Sequence, residues 1–104
     1  MATRITDDDA TRRLADLPGW RLDAGAITKE FTFDGFPEAV AFVARLVAPA
    51  EAADHHPDLE IHYSRVIVQF STHSAGGLTV KDFAGAADAE AAALPASPSP
   101  SARA

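Results

Sequence analysis

Two stretches of the chain alternate apolar and polar residues on either side of a turn, and they restrict the fold more than any other feature. In "WRLDAGAITKEFTF" Trp20 and Leu22 alternate, Asp23-Ala24-Gly25 can turn, and Ile27, Phe31 and Phe33 keep the same parity afterwards. Asp34-Gly35 ends that second strand. In "LEIHYSRVIVQFST" Leu59, Ile61 and Tyr63 alternate, then Val66, Val68 and Phe70, with Ser64-Arg65 as the expected turn. Strands joined so tightly pair antiparallel. Their alternation makes a sheet with one polar and one apolar face, and the apolar face must be covered.

Three segments have the period to cover it. In "ITDDDATRRLADLPGW" Thr6 is a plausible N-cap, three aspartates suit the first turn, and Ala10, Leu14 and Leu17 share a face before Pro18-Gly19 stops the helix. In "PEAVAFVARLVAPAEAA" Pro37 suits the first turn, and Ala39, Phe42, Val43, Leu46 and Val47 form an apolar stripe. Pro49 lacks a backbone donor and is predicted to kink the last turn. In "LTVKDFAGAADAEAAAL" Thr79 and Asp82 have the spacing of a capping box. The order α-β-β-α-β-β-α predicts a two-layer α+β domain, with a four-stranded antiparallel sheet and three helices on one face. Residues 1–94 form this domain, and "PASPSPSARA" at 95–104 reads as a disordered Pro/Ser/Ala tail.

At 104 residues the chain fits one domain. It has no cysteine, which excludes disulfides and thiolate metal sites. The net charge is −6 and lysines and arginines do not cluster, which argues against nucleic-acid binding. No apolar run approaches the roughly 20 residues of a membrane helix, and "MATRITDDDATRR" has no h-region and carries acids where a signal peptide would be apolar. The expectation is a soluble cytoplasmic protein without nucleic-acid or membrane partners.

All four histidines lie between positions 55 and 73. On a strand, His55 and His56 would point to opposite faces, so they could share a site only from a loop or bend. Pro57 supplies that context by holding His56 extended. His73 falls where the fourth strand ends, so one cleft between the second helix and that strand end could collect three imidazoles. His62 has parity opposite to Ile61 and should face outward as a surface residue. A zinc site from His55, His56, His73 and Glu51 or Asp54 is the competing reading, though the usual His-x3-His spacing is missing. Proton transfer suits imidazoles, which titrate near neutrality. Asp82 reads first as a cap on the Thr79 amide, and its loss would then cost on the order of 1 kcal/mol. Glu51 at a helix C-terminus opposes the dipole, which points to another use.

Glu51-x3-His55-His56-Pro57, Tyr63, His73, Gly77-Leu78-Thr79 and Asp82 together resemble the pterin-4a-carbinolamine dehydratase family. The likeness runs from about Thr6 to Ala87 and includes Trp20 and "FTFDGF". It implies the sheet-and-helix fold already read, and a homodimer or homotetramer. It implies dehydration of 4a-hydroxytetrahydropterin, left by aromatic amino-acid hydroxylases, to a quinonoid dihydropterin, with no metal and no cofactor. Carried over by position, His55, His56 and His73 are catalytic. Asp54, Pro57, Ser71, Thr72 and Ser74 line the pterin site, and Glu51 and Asp82 support it. Leu59, where an aromatic residue is common, Ser74, where an acid is frequent, and Pro49 depart from the family pattern. A non-enzymatic binding or dimerisation module of the same fold is the alternative, since animal relatives also serve as dimerisation cofactors for a transcription factor.

Overall fold

The computed structural model describes residues 3–93. The expected tail at 95–104 lies outside them. The elements are α1 (Asp7–Leu14), β1 (Arg21–Asp23), β2 (Ala26–Thr32), α2 (Phe36–Arg45), α3 (Val47–Ala53), β3 (Asp58–His62), β4 (Arg65–Phe70), a 3₁₀ turn (His73–Ala75) and α4 (Val80–Ala93). The strands form one antiparallel sheet in the order β1-β2-β4-β3. Among the described residues no helix is long and apolar enough to cross a membrane.

The expected α+β architecture is present, but the central helix is broken in two. Pro49 cannot donate to the carbonyl of Arg45, and its ring would collide with that carbonyl. The first helix therefore ends at Arg45, a turn before the proline, and Pro49 becomes the third residue of α3, where its missing N–H has no intrahelical partner to lose. The break also turns Val47 out of the apolar stripe and into solvent. At the N-terminus, Thr6 Oγ1 accepts from the Asp9 N–H at 3.1 Å as a cap. α1 ends at Leu14 rather than Leu17, because the chain tightens into i→i+3 bonds from Ala15 to Leu17 ahead of Pro18.

Ala24 and Gly25 both have positive φ, 51° and 81°, as a two-residue hairpin turn of the primed type requires. The second hairpin turns one residue earlier than expected, at Tyr63-Ser64. His62 pairs with Arg65, and Tyr63 takes a left-handed φ of 55°. β2 fixes this register: Thr32 pairs with Arg65, and the Phe33 N–H donates to the Ser64 carbonyl at 2.8 Å.

Ile27, Phe31, Val66, Val68 and Phe70 face the helices and pack with Phe42, Leu46, Phe83, Ala86 and Ala89 in one core. Glu30, Arg65, Glu60 and His62 occupy the opposite, solvated face, with Glu30–Arg65 and Glu60–His62 each paired at 3.0 Å. His62 is thus the surface residue expected. Leu59 and Ile61 lie on the helix side, opposite Val68 and Val66, yet both are exposed. β3 is an edge strand that the helices do not reach, so its alternation does not bury a face.

Lys29 occupies a core-facing position between Ile27 and Phe31. Its ammonium meets Glu90 at 2.6 Å and the Pro18 carbonyl at 3.0 Å, and the Trp20 indole N–H donates to the same Glu90 oxygen at 2.8 Å. One carboxylate thus ties α4 to β2 and to the residue that leads into β1. Glu90→Ala strands a cation and an indole donor, and is expected to cost about 1–3 kcal/mol in chemical denaturation.

Candidate active site

The histidine segment begins at the end of α3. Asp54 adopts φ 49°, ψ 46°, its N–H donates to the Glu51 carbonyl at 3.2 Å, and the His55 N–H donates to the Ala50 carbonyl at 3.1 Å. This is a Schellman ending, with aspartate in the left-handed position usually held by glycine. It reverses the chain and turns His55 inward and His56 outward. The His55 side chain is 11% exposed and that of His56 is 53% exposed.

His55 Nε2 lies 2.6 Å from Asp82 Oδ1. Asp82 is fully buried, in the first turn of α4. Its other oxygen accepts from the Thr72 hydroxyl at 2.8 Å and the Thr79 N–H at 2.9 Å. The expected capping bond to Thr79 is therefore present, but it is one of three. The protons follow from counting donors. Thr72 gives its hydroxyl proton to Asp82, so in the 2.8 Å contact between the two threonine hydroxyls Thr79 donates. Thr79 Oγ1 in turn accepts from the Lys81 N–H at 3.2 Å. With the carboxylate as the acceptor on both of its oxygens, Nε2 is the donor in the His55 contact. Among the described residues no buried side-chain polar atom lacks a partner, and Nδ1 of His55 has no protein partner, so Nδ1 opens to solvent. An imidazole held at one nitrogen by a buried carboxylate and open at the other is arranged to exchange a proton. The Phe70 ring stacks on it, with centroids 6.0 Å apart and planes 18° from parallel.

His56 Nε2 contacts Glu51 Oε2 at 2.6 Å. Both side chains are more than half exposed, so the contact contributes little to stability. His73 opens the 3₁₀ turn. The Thr72–Gly77 bridge closes this loop, with the Thr72 N–H donating to the Gly77 carbonyl at 3.0 Å.

Among the described residues the three imidazoles line three separate hollows rather than the single cleft expected. His55 lines an apolar cavity of about 180 Å³ between α3, α4 and Phe70. His56 and Glu51 line a groove of about 210 Å³ beside Leu59. His73, Ser71 and Thr72 line a polar hollow of about 310 Å³ at the end of the sheet. Pro57 borders both the cavity and the groove. Ser74 is exposed on the 3₁₀ turn, and Asp54 is exposed at the end of α3. Thr72 links the parts, since it borders the polar hollow while its hydroxyl holds the acid that holds His55. Among the described residues no three His, Asp or Glu side chains are grouped to hold a metal ion. Residue types alone did not reveal Phe70 or Gly85 as neighbours of His55. The isolated glycine in an alanine-rich helix was the available signal.

A family described as pterin 4 alpha carbinolamine dehydratase matches residues 3–92. A protein of Picosynechococcus sp., provisionally named pterin-4-alpha-carbinolamine dehydratase, is 53% identical over 83 residues, covering 80% of this chain and 90% of its own. One of Roseiflexus sp., provisionally given the same name, is 48% identical over 83 residues, covering 80% and 89%. The crystal structure of a transcriptional coactivator/pterin dehydratase from Brucella melitensis superposes with a TM-score of 0.84 at 38% identity, covering 88% of this chain and 99% of that one. A pterin dehydratase-like protein identified as a RuBisCO assembly factor in the alpha-carboxysome has a TM-score of 0.58 at 23% identity over 71% of this chain and 86% of its own, a likeness of fold alone.

Proposed function

The chain belongs to the pterin-4α-carbinolamine dehydratase family, and from that premise we propose that it dehydrates 4a-hydroxytetrahydropterin, with 4a-hydroxytetrahydrobiopterin as the type substrate, in pterin recycling in the cytoplasm. The C4a–O bond breaks and the departing hydroxide takes a proton to become water. N5 loses its proton, and the N–H electron pair forms the N5=C4a double bond of the quinonoid dihydropterin. Hydroxide is a poor leaving group, so an imidazolium is needed to protonate it, and a neutral imidazole takes the N5 proton. Each such role contributes about 10²–10⁴ in rate.

The observation that carries this reading is the Asp82–His55 pair, because a buried carboxylate that fixes one imidazole nitrogen leaves the other for the substrate. His56 and His73 are the further proton carriers. Asp54, Pro57, Ser71, Thr72 and Ser74 bind the pterin, and Glu51 supports His56. The pterin is the substrate and no cofactor takes part. The test is product formation from chemically generated 4a-carbinolamine. The rate above spontaneous dehydration is expected to rise in proportion to the protein, and no acceleration by folded protein would defeat the proposal. Elemental analysis is expected to find no stoichiometric zinc or iron. One ion per chain, lost in His55→Ala, would point to metal chemistry instead.

The surface supports a proposal about assembly. Phe36, Val40, Val47 and Ile61 are 40–58% exposed on α2, α3 and β3, and β3 is an open edge. Exposed apolar patches and open edges are normally covered by a partner. We propose a homodimer or homotetramer joined through this face. Sedimentation equilibrium is expected to show a dimer or larger at micromolar concentration, with Ile61→Lys moving it toward monomer. A monomer throughout that range contradicts the proposal. The same face favours the second reading, a binding module without catalysis, which stands if the oligomer forms and the carbinolamine assay stays at background.

A further inference from the structure

α4, "VKDFAGAADAEAAA", is rich in alanine, the best helix former, and Gly85 is its one glycine. Glycine in mid-helix weakens the helix relative to alanine, and alanine flanks it in this chain. Packing explains the choice. A Cβ at position 85 would lie 2.5 Å from Phe70 Cε1, 2.7 Å from Cζ and 2.9 Å from Cδ1. The edge of the Phe70 ring occupies the place of the missing methyl group. That ring is buried at the end of β4, an interior strand, and its face is stacked on the His55 imidazole.

Gly85 lies three residues after Asp82, so both are on one face of α4. The helix therefore reaches His55 twice, through the carboxylate that binds Nε2 at 2.6 Å and through the gap that admits the ring stacked on the imidazole. We propose that Gly85 is a positioning residue for the dehydration, acting through Phe70 to set the orientation of His55. The inference rests on the reading of His55 as a proton carrier. A methyl group at position 85 leaves two responses. Either the Phe70 ring moves and the stack on His55 is lost, or α4 retreats and carries Asp82 away from Nε2. Both disturb the imidazole, because the two supports share one helix.

The test uses the full chain with Gly85→Ala and Phe70→Leu. The second variant removes the stacked ring without adding an atom, so it keeps the inference open to refutation if Gly85→Ala does not fold. The readouts are kcat and KM on folded protein well below the melting temperature, and the imidazole proton signals of His55 in NMR, assigned by their loss in His55→Gln. In each folded variant kcat is expected to fall by at least about 10-fold, with KM changed less, since small misplacements of a reacting group act on the chemical step. The His55 signals are expected to move while those of His62 stay in place. Unmoved His55 signals overturn the inference, and so does an unchanged kcat with moved signals. If the wild-type protein has no dehydratase activity, the proposed function fails, and the His55 signals alone then decide whether Gly85 positions the imidazole.

Discussion

Asp82→Ala is expected to lower stability by about 3–5 kcal/mol, because three donors lose their acceptor at about 1–3 kcal/mol each. Capping alone suggested on the order of 1 kcal/mol. The difference comes from burial. Asp82 is fully enclosed, and its removal strands the Thr72 hydroxyl, the Thr79 N–H and His55 Nε2 together. For a domain of this size the melting temperature should fall on the order of 20 °C. Asp82→Asn separates the two roles of the side chain. The amide oxygen can still accept from Thr72 and Thr79, so most of the stability should remain. The amide nitrogen then faces His55 Nε2 as a donor, which forces the ring to accept there and to carry its proton on Nδ1. Turnover should therefore fall by about 10²-fold in a protein that still folds, the scale of a lost acid–base role. Melting curves and turnover on the same samples check both expectations. An Asn variant as active as wild type would show that Asp82 serves only the fold.

His73→Ala and His56→Ala are each expected to cut turnover by roughly 10²-fold or more while leaving the melting temperature nearly unchanged. Both side chains are exposed, so neither leaves a cavity in the core. His62→Ala is the control. His62 is also exposed, and is paired with Glu60 on the solvated face of the sheet, away from α3 and α4. It should keep most activity. The comparison matters because His55, His56 and His73 line three separate hollows in the chain. If all three act on one pterin, the two exposed histidines must each matter despite that separation. Folded His56 and His73 variants as active as His62→Ala would leave Asp82–His55 as the whole proton machinery and would sink the three-imidazole reading.

The hairpins were legible because their signals are local. Alternation, the Ala24-Gly25 turn and the Thr6 cap each depend on residues within a few positions of one another. The Pro49 disturbance was legible in kind and misplaced by a turn, because a proline acts on the carbonyl four residues upstream. β3 was misread for a different reason. Leu59 and Ile61 alternate as a half-buried strand should, and they do face the helix side, but alternation cannot say whether a helix extends over the edge. The Tyr63-Ser64 turn was missed because β2, distant in sequence, sets the register through Phe33.

By itself the sequence determined the α+β class, the antiparallel pairing, the family resemblance, and the outward place of His62. It also determined that His55 and His56 must diverge unless the backbone bends. The tertiary structure alone decided that Asp82, read from its spacing as a cap and from the resemblance as a support of the site, would close on an imidazole 27 positions away, and that a glycine in α4 would leave room for the ring stacked on that imidazole. The physical reason is range. Turns, caps and periods are encoded by neighbours along the chain, whereas the partner of a buried carboxylate is chosen by which elements the core packs together.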